Sequence, residues 1–489
     1  MTRARAGHRR WPARPAPAHP LPVVAVVAVA LAPAMLGCGT TQAARSTNDA
    51  EPLLASYEAP PAAPPPPAAR SGHTRGVTAR ELRAIEALMT AAERVRGLRF
   101  EHKVPVFVQD AEAISAYVDS QIKADELERS RMIYTALGLL APDLDVRDLL
   151  LRLMGEQIVG YYDVEQSHLV VRDDVMRAFS GERGVAGVDL AEARVVLVHE
   201  LVHALQDQRL GLAATIDAAR DSDADNAFRA LIEGDATLAM IAFALERESL
   251  PLSQLTRNPA RVQSLSELVR SSPLTGSELG SAPAIVRTPL LSAYVDGLTF
   301  AAYLHGDGGW GRVDRAHAQA PLSTEQVLHP ERYTRLEAPE RPRLPGARDA
   351  LGADYELVHE DTLGELEMGV YFGVGSPEAA AKRAAQGWGG DRLYAYRSSA
   401  GETAIAWLTT WDDEREAEEA LHAAERVAAK EQAAARPNQL ALREGRAVLM
   451  LRQVPAELHA ALRARFESWA ANIDATALSS APRAPAQAN

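Results

Sequence analysis

Apolar residues recur at helical spacing from Arg80 to Arg96, where Leu82, Ile85, Leu88 and Met89 mark one face. The apolar run Val104 to Val108 predicts a strand. Helical spacing resumes from Ala111 to Leu140 and again from Val146 to Met154. Two short apolar runs, Ile158 to Asp163 and Ser167 to Val171, flank a polar turn at Asp163 to Gln166, which predicts a hairpin. Two later stretches differ in kind. Glu192 to Gln208 carries Val195, Val196, Val198, Leu201, Val202 and Leu205 on more than one face, and Asn226 to Ala242 is also mostly apolar. Helices of that pattern are buried.

After residues 336–350, rich in Pro, Arg and Glu, the pattern changes. Tyr355 to His359 and Glu367 to Phe372 read as mixed or strand-like. Ala379 to Gln386 reads as a helix, Leu393 to Arg397 and Thr403 to Thr410 as strands, and Glu414 to Ala435 as a long charged helix. Ala447 to Val454 reads as a strand and Glu457 to Ala470 as the last helix. A sheet with helices on one side fits this order. No repeat at solenoid period is visible. The expected fold class is α+β. A mainly helical domain with a small sheet spans 79–335, a linker 336–350, and a smaller α+β domain 351–472. The Ala/Pro-rich tail, 473–489, is expected to be disordered.

The amino terminus reads as an address. Arg3, Arg5, Arg9, Arg10 and Arg14 precede an apolar run from Val23 to Leu36, broken at Pro33. The run is shorter than the ~20 residues of a membrane-spanning helix. A basic stretch followed by a short apolar one is an export signal. Gly37-Cys38 follows, with the only cysteine of the chain. The segment resembles a bacterial lipobox, which implies a signal peptide over 1–37 and lipidation of Cys38. Plain secretion is the other reading. Residues 38–78, rich in Ala, Pro, Ser and Thr, read as a disordered tether. The expected location is the bacterial cell envelope, in the outer membrane or periplasm, with the membrane engaged through lipid on Cys38.

Composition narrows the picture. The chain has 489 residues, 47% hydrophobic and 24% charged, enough for two or three globular domains. One cysteine excludes an intrachain disulfide and a cysteine-rich metal cluster. A formal charge of −13 argues against a nucleic-acid partner.

Candidate chemistry sits in the two apolar helices. His199 and His203 are one turn apart, so their nitrogens can converge on one ion. Glu200 can reach a water bound to that ion, and zinc brings such a water's pKa toward neutrality. A catalytic zinc wants a third protein ligand, and Glu233 is the candidate. Asp235 lies about 200° further around the helix and is not expected to share the ion. Gly234, costly inside a helix, points to a close approach of two helices.

The segments HELVHALQDQ and ALIEGDATLAM resemble the glutamate zincins, the gluzincin-type metallopeptidases, and among them an exported bacterial family. Gly160-Tyr161-Tyr162-Asp163, the block Pro321 to Pro330 and the block Ala385 to Arg392, with Gly387 to Asp391 inside it, resemble further parts of that family. The resemblance implies a zincin-like domain with one zinc per chain, held by His199, His203 and Glu233. It implies hydrolysis of a peptide or protein substrate, with zinc-bound water activated by Glu200. A donor to the developing oxyanion is expected between 290 and 333, with Tyr294 and His329 as candidates. Many glutamate zincins carry an aspartate four residues after the ligand glutamate. Thr237 stands there in this chain, and Asp207 is the candidate to brace a ligand histidine instead. Ser323 with Gln326 fits a capping box better than catalysis. Two alternatives stay open: a non-catalytic envelope lipoprotein that keeps the fold for binding or scaffolding, and a zinc hydrolase acting on something other than peptides.

Overall fold

The computed structural model describes residues 72–155, 158–182, 185, 187–212, 221–270, 278–434 and 438–480. The leader, Cys38, the tether up to residue 71 and residues 481–489 of the tail lie outside the described residues.

Strand β1 (Thr74–Gly76) falls inside the stretch expected as tether, and it is paired. Helix α1 (Ala79–Arg96) begins at a reciprocal cap. Thr78 accepts from the Glu81 backbone N–H, and the Glu81 carboxylate accepts from the Thr78 N–H. Strand β2 (Val106–Gln109) pairs antiparallel with β1. The stretch expected as one helix from 111 to 140 divides into Ala111–Gln121 and α2 (Ala124–Ala136), with Ile122 extended between them. The hairpin forms from β3 (Gly160–Asp163) and β4 (His168–Arg172), and β4 also pairs parallel with β2. The four-stranded order is β1-β2-β4-β3. Helix α3 (Leu190–Leu210) packs its apolar surface against this sheet and α1. Helices α4 (Ser222–Arg247) and α5 (Ala284–Gly308) cross beside it.

The C-terminal part contains β5 (Tyr355–Asp361), α6 (Gly364–Gly373), α7 (Glu378–Ala385), β6 (Trp388–Ser398) and β7 (Thr403–Trp411). Then come α8 (Glu414–Ala433), β8 (Gln439–Glu444), β9 (Ala447–Arg452) and α9 (His459–Ser480). The strands form an antiparallel sheet in the order β5-β6-β7-β9-β8. Glu367 to Phe372, read as strand-like, belongs to α6. A short apolar run has no period that tells a buried helix from a buried strand. Helices cover both faces of the sheet rather than one. Helices α2, α6, α7 and α8 pack on the side of Ile405 and Trp407. The helix Ala347–Leu351 and α9 pack on the side of Ala406, Leu408 and Leu449. Accordingly β7 is buried along almost its whole length.

The expected linker is packed, with Leu344 and Ala347 in that second core. Helix α9 runs past residue 472, where the tail was expected to begin. Helix α2 belongs to the N-terminal half, yet Ile133, Ala136 and the adjoining Leu137 share a core with Trp388, Trp407 and Trp411. The class is α+β, as the sequence predicts. Among the described residues no helix is long and apolar enough to cross a membrane.

Candidate metal centre

Helix α3 starts at Asp189, whose carboxylate accepts from the Ala191 and Glu192 N–H groups. Its middle is apolar and buried on all sides, and three polar side chains go into the interior with it. His199 is 0% exposed, Glu200 2% and His203 4%. Glu233, from α4, is 3% exposed.

The ligand atoms converge. His199 Nε2 lies 3.0 Å from Glu233 Oε2 and 3.0 Å from His203 Nε2. His203 Nε2 is 3.5 Å from Glu233 Oε2. Among the described residues, these three form the one group of His, Cys, Asp or Glu with ligand atoms all within 4.8 Å of one another. Two imidazole nitrogens and a carboxylate oxygen are a donor set that suits zinc. Burying them without pairing or a cation would cost several kcal/mol. His199 Nδ1 and Glu200 Oε1 are buried with no hydrogen-bond partner, so the centre holds unused polar capacity. The residues present fit a divalent cation.

Glu200 sits beside the three. Its Oε2 accepts from the Tyr162 N–H of β3 at 3.0 Å, and its Oε1 is buried with no hydrogen-bond partner. Burial, helped by the Glu233 charge and opposed by His203, pushes its carboxyl up to about 7. Burial would also raise Glu233, but His203 and His199 outweigh it and hold that carboxyl well below the usual range. Burial lowers His199.

Tyr294 of α5 reaches the centre. Its ring is 6.0 Å from the His199 ring at 24°, and its hydroxyl hydrogen-bonds Glu233. Burial, then the charges of Glu233 and Glu200, holds the phenol well above its ordinary value, so it stays protonated. His329 goes elsewhere. It pairs with Glu365 of α6 at 3.0 Å, in the joint between the two halves of the molecule. Asp207 braces no histidine. It accepts from the Tyr162 hydroxyl at 2.7 Å and the Ser167 hydroxyl at 3.3 Å, so it anchors the strand whose backbone holds Glu200.

The side chain on His203 Nδ1 is Gln206, at 2.9 Å. Sequence reasoning passed over it. The sequence offered only its place about one turn after a candidate ligand in an apolar helix; its full burial is visible in the structure alone. Asp235 stays off the centre, bonded to Arg96, Gln206 and His317. Gly234 lies where α4 meets α5. A Cβ there would sit 2.1 Å from the Gly297 carbonyl oxygen, and one on Gly297 would sit 2.2 Å from that of Ala230. Ser323 caps the helix Thr324–Leu328, accepting from the Gln326 N–H, while the Gln326 side chain accepts from the Leu322 N–H.

A family model described as a domain of unknown function (DUF8575) matches residues 354–460, within the C-terminal sheet domain and away from the centre in sequence. No curated protein and no solved structure matches the chain.

Proposed function

We propose that this protein is a zinc-dependent peptidase with a zincin-like catalytic domain, anchored in the bacterial cell envelope through lipid on Cys38. One observation carries the reading: His199, His203 and Glu233 bring three ligand atoms together inside an apolar interior, with Glu200 alongside. A zinc ion bound there supplies Lewis acidity, enough to polarise a carbonyl and to make water nucleophilic near neutral pH. Glu200 takes the proton from the attacking water at its free Oε1 and returns it to the leaving amine. Burial favours the protonated form of that carboxyl, the form that returns a proton to the amine. Tyr162 fixes the orientation of Glu200 through its backbone N–H. Tyr294 keeps a neutral O–H donor beside Glu233.

A second reading has one observation in its favour. All four core residues are buried, so a peptide reaches them only when part of the surrounding shell moves. A non-catalytic envelope lipoprotein that keeps this architecture for binding would need no such movement. The test is zinc content followed by turnover of a broad peptide library. The peptidase reading expects about one zinc per chain, and Glu200→Gln keeps the zinc and loses hydrolysis. Peptide cleavage retained by Glu200→Gln would sink the mechanism. Full zinc occupancy with no turnover would favour the binding protein.

A further inference from the structure

Behind His203 runs a line of hydrogen bonds with a defined polarity. Gln206 Oε1 is 2.9 Å from His203 Nδ1. Gln206 Nε2 donates to the Ile232 carbonyl at 3.0 Å and to Asp235 Oδ2 at 2.9 Å. Both partners are acceptors only, so the amide nitrogen must face them and the amide oxygen must face His203. An oxygen at that place requires the proton on Nδ1. In the neutral ring the lone pair of His203 is then on Nε2, the atom turned toward His199 and Glu233.

Asp235 is held in its turn. Arg96, the last residue of α1, donates to it from Nε at 2.6 Å and from Nη2 at 3.0 Å, and His317 Nε2 lies 2.8 Å away. Arg96 is fully buried, also donates to Asp314 at 2.6 Å, and lies 4.6 Å from the centre of the Trp310 ring. The line thus ties α3 to α4, α1 and the helix Trp310–Ala318.

We propose that Gln206 is a positioning residue: it fixes His203 in the Nδ1–H form with Nε2 free for a cation, and Asp235, Arg96 and His317 lock its amide in that orientation. The proposal rests on the metal-site reading above. Outer hydrogen bonds of this kind change metal affinity by about 10–100-fold when removed.

The test uses the full chain, zinc titrated against a chromophoric chelator, and cobalt(II) absorption as a reading of ligand geometry. Thermal unfolding of each variant establishes that it is folded. Gln206→Leu is expected to weaken zinc binding about 10–100-fold and to alter the cobalt spectrum. Gln206→Met keeps the length of the side chain without its hydrogen bonds and is expected to weaken zinc binding to a similar extent, with the same change in the cobalt spectrum. A folded Gln206→Leu with unchanged zinc affinity overturns the proposal. So does a folded Gln206→Met that binds zinc as the parent does. Where Gln206→Leu does not fold, Gln206→Met decides alone. A parent that binds no zinc overturns the metal-site reading itself, before any variant is compared.

Discussion

Tyr294 makes two contacts at the centre, one from its ring and one from its oxygen, and they can be separated. Tyr294→Phe keeps the ring beside His199 and removes only the hydroxyl that bonds Glu233. Zinc content is expected to stay near that of the parent, because all three ligand side chains remain. Turnover is expected to fall about 100–1,000-fold with little change in KM if the hydroxyl meets charge that develops during reaction. Steady-state kinetics on one cleaved peptide decide it, and unchanged kcat would leave Tyr294 as packing. At this scale the ligands were legible because polar residues in an apolar helix stand out: His199, Glu200 and His203 interrupt a run of valines and leucines. Gln206 and Arg96 were not. An amide near a helix end and an arginine in a last turn are ordinary on a surface, and their burial depends on partners distant in sequence. His329 precedes a proline and looks poised as a donor, but a glutamate 36 positions away claims it.

The elements meet most tightly where α4 crosses α5. Gly234 and Gly297 face each other there, and Glu233 is the neighbour of one of them. A methyl group on Gly234 would lie 2.1 Å from a backbone oxygen, and no rotamer change can relieve that overlap. Gly234→Ala is therefore expected to force the helices apart, costing on the order of 2–4 kcal/mol of stability. It should also shift Glu233 relative to His199 and His203, so zinc binding should weaken together with stability. Denaturant unfolding and zinc titration of the same sample test the coupling. A variant with parental stability and zinc affinity would mean that the crossing yields freely. The sequence announced this approach, since a glycine in a long apolar helix needs a reason. It did not announce the partner glycine, which sits in a different helix 63 positions on. Strand-like Glu367 to Phe372 became α6 because its environment, not its period, sets its conformation. Asp391 accepts the Leu363 and Gly364 N–H groups and so holds the start of that helix from another strand.

Across the whole molecule, buried carboxylates tie the two halves together. Asp361 accepts from the Ser222 N–H and hydroxyl at the start of α4. Asp223 accepts from the N–H and hydroxyl of Thr324, whose hydroxyl accepts in turn from the Leu366 N–H across the joint. Within the C-terminal half, Asp391 accepts from the indoles of Trp388 and Trp407 as well as from the start of α6. The blocks Pro321 to Pro330 and Gly387 to Asp391 thus supply caps and clamps in this joint, which their spacing alone could not reveal. Glu367 sits where three helices meet, accepting from the Tyr134 hydroxyl of α2 and the Asn226 amide of α4. Burial, with Asp361 nearby, pushes its carboxyl up to about 8. In an unfolded chain it would titrate at about 4.3. Between those values the native state keeps a proton that the unfolded chain has released, so stability falls as pH rises through the window. Below about 4.3 both states are protonated and the penalty is absent; above about 8 both are ionised and it is complete. Glu325, raised by burial to about 8, acts in the same direction. Glu367→Gln carries no charge at any pH and keeps an acceptor for Tyr134 and Asn226. It is expected to be more stable than the parent at pH 8.5, on the order of 1–3 kcal/mol, and to show no gain at pH 4.5. Denaturant unfolding of both proteins at the two pH values tests this. An equal difference at both would mean that Glu367 does not titrate in that window, and that its contribution to the joint is shape and hydrogen bonding alone.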